Sequence, residues 1–268
     1  MTQTTDVISR ALSDDDLNGA VGAAVATVKS RPRDFEARML LAELAVLAGD
    51  LGRAETQAKL AGQNAPDKAL GLGVFRQHLR GIQARNAWWE DGALPVFPEG
   101  PSALSNLALK MNVALRSGDG DSARALLHQL DDERGAQNVI WDGLAFDTFR
   151  DLDDRLPHAL EVVTAGGNYM WLEFDTLSEV RFEPVTRPLD LAYRRARVTL
   201  TNASAADLRI PAIYPAPEGA AQSLGRITDF SEGPGGLIFG HGQRGWLVGD
   251  DMQTCATATT LHFEEGDA

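Results

Sequence analysis

The segments AVGAAVATVKSRP (residues 20–32) and AETQAKLAGQNAP (residues 54–66) decide how the first half of the chain is read. They align Ala20, Ala24, Thr27 and Pro32 with Ala54, Ala58, Ala61 and Pro66, a shift of 34 residues. Small residues at i, i+4 and i+7 share one helix face and let a neighbouring helix approach closely, and a proline ends the helix it follows. The second copy is the fuller one. Its first helix is expected over Phe35 to Ala48, with Leu40, Leu41, Leu44 and Leu47 at helical spacing; Gly49-Asp50 turns the chain, and Leu51 to Gly62 returns.

Moving outward, a looser copy places Leu104, Leu107, Met111 and Leu115 on one helix and Ala123, Leu126, Leu127 and Leu130 on the next, with a Gly118-Asp119-Gly120-Asp121 turn between them. A helix is expected from Lys68 to about Arg85. The half-repeat that should follow is replaced by Trp88-Trp89-Glu90-Asp91-Gly92 and the prolines Pro95, Pro98 and Pro101. A period of 34 residues is that of tetratricopeptide repeats, so residues 1–135 are expected to form a tetratricopeptide-like helical domain interrupted near the two tryptophans.

From about His158 the apolar period drops from near 3.6 to 2. Leu160 to Thr164, Ala165-Gly166-Gly167-Asn168 and Tyr169 to Phe174 read as a β-hairpin, because Gly-Gly accepts the positive φ of a tight turn. Further strands are expected at Glu179 to Glu183, Arg197 to Thr201, Leu208 to Ile210, Gly245 to Val248 and Thr254 to Phe263. Pro211 and Pro215 confine Ala212-Ile213-Tyr214 to an edge or an irregular crossing. Glu218 to Gly225 and Ser231 to Gly242 read as surface loops. The expected fold is α+β: the helical array packed on a mostly antiparallel β-barrel or sandwich-like domain at 136–268. Its connecting segment, 136–157, carries Trp141, Leu144, Phe146, Phe149 and Leu152 and is too apolar for a free linker.

The 268 residues are 44% apolar and 24% charged, a globular balance, and no apolar run approaches the ~20 residues of a membrane helix. Met1 to Ser13 lacks the basic and apolar regions of a secretory signal, so a cytoplasmic location is expected. The net charge of −13 divides into −3 over residues 1–135 and −10 over the remainder. Such a surface repels phosphate backbones, which makes nucleic acid and anionic membrane poor partners. A single cysteine, Cys255, can neither close an internal disulfide nor supply a thiolate metal cluster, and its strand setting suits a small buried hydrophobe.

No G-x-S-x-G, H-E-x-x-H, Walker A or C-x-x-C motif occurs, and no catalytic, cofactor-binding or metal-binding residue is assigned. Gly233-Pro234-Gly235-Gly236 lacks the Gly-Lys-Ser/Thr of a phosphate loop. His241 with Asp250-Asp251 is the nearest approach to a metal set, against the reading of Gly249-Asp250-Asp251 as a turn. Asp14-Asp15-Asp16 suits the capped N-terminus of a helix, and Asp151, Asp153 and Asp154 suit a solvated acidic face.

An ordered set of short motifs follows Phe149: Phe149-Arg150-Asp151-Leu152-Asp153-Asp154-Arg155-Leu156, Leu160 to Thr164 with Gly166-Gly167 and Tyr169 to Trp171, Val180 to Pro184, Arg187 to Leu191, Leu208 to Pro215, and Leu247 to Asp251. With the leucine- and alanine-rich first half, this set resembles the ImpE family, also called TagJ, accessory proteins of the type VI secretion system. The resemblance implies a non-enzymatic factor that binds the N-terminal helix of the small contractile-sheath subunit, and it transfers no catalytic motif. Two alternatives stand beside it: a metal-dependent hydrolase built on His241, Asp250 and Asp251, and a repeat adaptor unrelated to secretion.

In a tetratricopeptide array the first helix of each pair lines the concave side. Met39, Glu43 and Val46, beside the Leu41 and Leu44 face, are therefore expected to meet the partner, with Trp88 and Trp89 as large anchors near the interrupted repeat. The opposed expectation places Met39 and Val46 in the helical core and both tryptophans in the seal between the two halves.

Overall fold

In the computed structural model, which describes residues 2–63 and 65–263, helices come first. They are α1 (Thr2–Ser13), α2 (Leu17–Ser30), α3 (Phe35–Leu47), α4 (Leu51–Gly62), α5 (Ala69–Asp91), α6 (Ala103–Arg116) and α7 (Gly120–Arg134). Asp16, Asp34, Asp50, Ser102 and Asp119 each stand just before a helix and accept a hydrogen bond from the backbone N–H three residues on, which satisfies donors the helix itself leaves unpaired. Gly49 and Gly118, at φ 76° and 77°, supply the left-handed residue of the turns after α3 and α6. The small-residue ladder is interior: Ala20, Ala24 and Thr27 on α2 and Ala54, Ala58 and Ala61 on α4 are all buried.

α5 is longer than its sequence suggests. It runs six residues past Arg85, carries Trp88 and Trp89 within its last turns, and stops at Gly92, whose positive φ of 77° lets its N–H cap the Trp88 carbonyl.

The later half contains β1 (Val139–Trp141), β2 (Leu144–Phe146), β3 (Phe149–Asp151), β4 (Ala159–Thr164), β5 (Tyr169–Glu173), β6 (Leu177–Phe182), β7 (Tyr193–Leu200) and β8 (Ala205–Pro211). A short helix α8 (Gly219–Ser223) precedes β9 (Thr228–Glu232), β10 (Ile238–Gly242), β11 (Gly245–Val248), β12 (Asp251–Thr254) and β13 (Thr260–Phe263). Eight strands form one sheet in the order β2-β1-β13-β6-β7-β8-β4-β5, every neighbouring pair antiparallel. β12-β11-β3 and β10-β9 form smaller sheets.

The large sheet is open, not a closed barrel, because β2 and β5 end it without pairing to each other. Beyond β5 the chain supplies a strap instead: Val96 N–H donates to the Tyr169 carbonyl at 2.9 Å, covering part of an edge that would otherwise invite foreign strands. The expected connecting segment carries β1, β2 and β3. The expected loops carry α8 and the β9–β10 hairpin. The expected strand from Thr254 to Phe263 is broken after Thr254, where the Arg194 guanidinium gathers the carbonyls of Cys255, Ala256 and Ala258 and bends the backbone around itself. Residues 264–268 of the expected second domain lie outside the described residues.

The two halves share their interior. Leu189, Ala192, Tyr193, Ile213 and Leu224 join the cluster built on Leu41, Leu44 and the alanine ladder, while Trp88 of α5 packs with Tyr169 and Trp171 of β5. α5 lies so close to the β4–β5 hairpin that a Cβ on Gly81 would run into the Val163 side chain.

Candidate partner-binding site

The five sequence-predicted partner residues lie in the interior or at the joint between the halves. Met39, Glu43 and Val46 are buried, with relative exposures of 5%, 2% and 6%. Their face of α3 is covered by the chain's own segment around residues 187–193. Glu43 pairs with Arg187 and accepts the Leu189 backbone N–H; burial raises its pKa despite the neighbouring arginine. A repeat array standing alone would leave this side free, and here the second half docks on it. Trp88 is buried edge-to-face against Trp171, with ring centres 4.9 Å apart. Trp89 is half-buried: its Nε1 donates to Glu161 at 2.9 Å, and the Arg155 guanidinium lies 4.8 Å above its ring.

The same joint encloses a chain of charges that sequence reading did not assemble. Arg85 on α5 reaches both oxygens of Glu161 on β4, at 2.9 and 3.0 Å, and donates to the Ile213 carbonyl at 3.0 Å. Arg244 also pairs with Glu161 and continues to Asp151 at 2.5 Å. Tyr169 donates its hydroxyl to Glu161 at 2.6 Å, and Tyr214 donates to Asp151 at 3.0 Å. Two buried carboxylates thus face two buried guanidiniums, the condition under which charge is tolerated away from water. Burial alone would raise the Glu161 carboxyl, but Arg85 and Arg244 hold it down at about 2. At Asp151 burial prevails over Arg244, with Asp153 adding repulsion, and the carboxyl is pushed up to about 6.

Beside this joint the surface opens into a groove of about 430 Å³ between the end of α5, the strap after Gly92 and α6. Its floor includes Trp88 and Asn112, and its walls include Leu94, Leu109, Lys110, Val113 and Arg116. The helical period explains the wall: Ser105, Ala108, Met111 and Asn112 turn inward, leaving Asn106, Leu109, Lys110 and Val113 along the outer stripe of α6. Leu94 and Val113 stay 71% and 67% exposed. Arg116 binds the carbonyls of Trp88, Trp89 and Glu90, so its charge closes the C-terminus of α5. The side-chain N–H groups of Trp88 and Asn112 are buried and have no acceptor among the described residues.

His241 hydrogen-bonds Ser231 at 2.6 Å across the β9–β10 hairpin, whereas Asp250 and Asp251 are exposed at the turn into β12. Among the described residues no group of three or more His, Cys, Asp or Glu side chains is placed to hold a metal ion. Nor is any described helix long and apolar enough to cross a membrane.

Residues 143–262 match the family model described as ImpE protein. The chain is 27% identical over 256 residues to the type VI secretion system accessory component TagJ of Pseudomonas aeruginosa, covering 94% of this chain and 89% of that protein. The fold is that of a crystal structure of a Vibrio parahaemolyticus protein, with a TM-score of 0.87 at 24% identity, covering 96% of this chain and 97% of the other.

Proposed function

We propose that the chain belongs to the ImpE family, whose model matches residues 143–262, and that it is a non-enzymatic accessory component of a type VI secretion system, acting in the cytoplasm by binding the N-terminal helix of the small contractile-sheath subunit. The observation that carries this reading is the extent of the match to TagJ. It runs through both the helical half and the sheet, so the unit held in common is the whole two-part body.

The distribution of perturbed groups supports binding over chemistry. Sites that perform acid–base or nucleophilic work expose their shifted groups to a substrate. Here Glu161, Asp151, His158 and Cys255 carry strong shifts and are all buried, and the half-buried His78, lowered by burial and Arg209, accepts a hydrogen bond from that arginine. Glu161 and Asp151 are also held in ion pairs within the chain.

The test mixes the purified full chain with the full-length small sheath subunit, and separately with that subunit lacking its N-terminal helix, and reads complex formation by size-exclusion chromatography. A complex with the first and none with the second is expected. Equal binding to both forms, or binding to neither, overturns the reading.

A further inference from the structure

We propose that the groove beside the end of α5 is the docking surface, and that its occupant is one amphipathic helix with an aliphatic seam and a carboxylate side chain; this rests on the partner-binding reading above. The argument begins with a missing element. α1 packs with α2, α3 with α4 and α6 with α7, but among the described residues no helix stands between Asp91 and Ala103 to pair with the end of α5. The strap through Pro95, Pro98 and Pro101 leaves along the sheet edge instead, bonded to Tyr169 through Val96. The outer stripe of α6 and the last turn of α5 are therefore left as two walls without the helix that would fill them. An incoming helix supplies that element from outside, in the helix-in-groove mode with anchors at i, i+3 or i+4, and i+7.

The chemistry of the lining selects the occupant. Leu94, Leu109 and Val113 offer aliphatic contacts, and the exposure of Leu94 and Val113 marks apolar surface that none of the described residues covers. Lys110 forms no ion pair among the described residues, and with Arg116 it outweighs Asp91, giving a locally basic wall on a chain whose net charge is −13. A carboxylate on the incoming helix is attracted there. The unpaired N–H groups of Trp88 and Asn112 point the same way, since a buried donor left without an acceptor costs roughly 1–3 kcal/mol. Both atoms lie beneath the groove lining with almost no accessible surface, so an acceptor oxygen carried in by the helix reaches them as the side chains above them shift.

The test titrates a synthetic peptide of the small sheath subunit's N-terminal helix against the full chain and three variants. Val113→Glu places a charge on the exposed aliphatic stripe and is expected to weaken binding about tenfold or more. Lys110→Glu is expected to weaken it and to flatten its salt dependence. Leu144→Glu, on the remote strand β2 where the parent side chain is 67% exposed, is expected to leave affinity unchanged. The indole N–H resonance of Trp88, assigned through Trp88→Phe, is expected to shift on binding while that of Trp246 stays in place. Parental affinity in Val113→Glu together with an unmoved Trp88 resonance overturns the groove and leaves the sheath-binding reading standing. A parent that does not bind the peptide overturns both.

Discussion

Arg85 and Glu161, 76 residues apart in sequence, meet side-on across the joint of the two halves, with Nε and Nη2 of the guanidinium 2.9 and 3.0 Å from the two carboxylate oxygens. The pair is two-point and dry, and Arg244 with Asp151 extends it, so the helical half and the sheet are held in one relative orientation by groups that have no water to turn to. That orientation fixes the end of α5, and with it the floor of the groove at Trp88.

Removing one member of such a set costs more than the set contributes when whole. Glu161→Ala leaves Arg85 without its carboxylate and Arg244 with Asp151 alone, and strips the acceptor from Tyr169 and Trp89. The expected destabilisation is about 3–5 kcal/mol, read as a lowered urea midpoint. A midpoint equal to the parent's contradicts the role given to this carboxylate.

Acid should destabilise the fold partly through two histidines, His158 buried and His78 half-buried. Burial, with Arg134 adding repulsion, lowers His158 from 6.5 to about 3, and both of its ring nitrogens lack partners among the described residues; burial and Arg209 lower His78 to about 4. Because the folded values lie below the unfolded ones, these rings contribute stability above pH 6.5 that is lost as pH falls toward 4 and 3, with a slope of up to about 1.4 kcal/mol per pH unit for each ring. Asp151 acts oppositely: raised from 3.8 to about 6, it contributes stability at low pH that is lost as pH rises through that interval. The difference between parent and His158→Phe isolates one ring. Unfolding free energies from pH 7 to 4 should fall more steeply in the parent, and parallel curves would count against the assignment.

The lone thiol should be inert. Cys255 is fully buried and its pKa is pushed by burial up to about 12, so almost no thiolate is present near neutrality. Iodoacetamide should leave the native protein unlabelled and add one group after unfolding in urea. Native labelling at the unfolded rate would show that Cys255 is accessible.

What could be read in advance was local. The alanine ladders announced close helix contacts because small residues at fixed spacing have one geometric use, and the six small residues of the alignment are all buried. The β4–β5 hairpin and the strand at Gly245–Val248 were legible from alternation and from Gly-Gly. The covered face of α3 was not, since whether Met39 and Val46 meet a ligand or the chain's own segment around Arg187 depends on how the halves dock. The charge chain was hidden for the same reason: Arg85, Asp151, Glu161 and Arg244 look like ordinary surface charges when read singly. One local signal was present, Glu161 inside the apolar run Leu160 to Val163, where a charge in a strand buried on both faces demands a partner. Asn112 gave no signal, because its importance lies in an acceptor that is missing.

If this protein seats a helix of the sheath's small subunit, the most direct measurement captures that contact where secretion takes place. A photo-crosslinking benzoylphenylalanine at position 113 of the full chain, in cells assembling the secretion system, should yield an adduct that mass spectrometry maps to the N-terminal helix of the small sheath subunit, while the same probe at position 144 should yield none. An adduct to that helix from position 144 and none from position 113, or no adduct with the sheath subunit from either, would contradict the account.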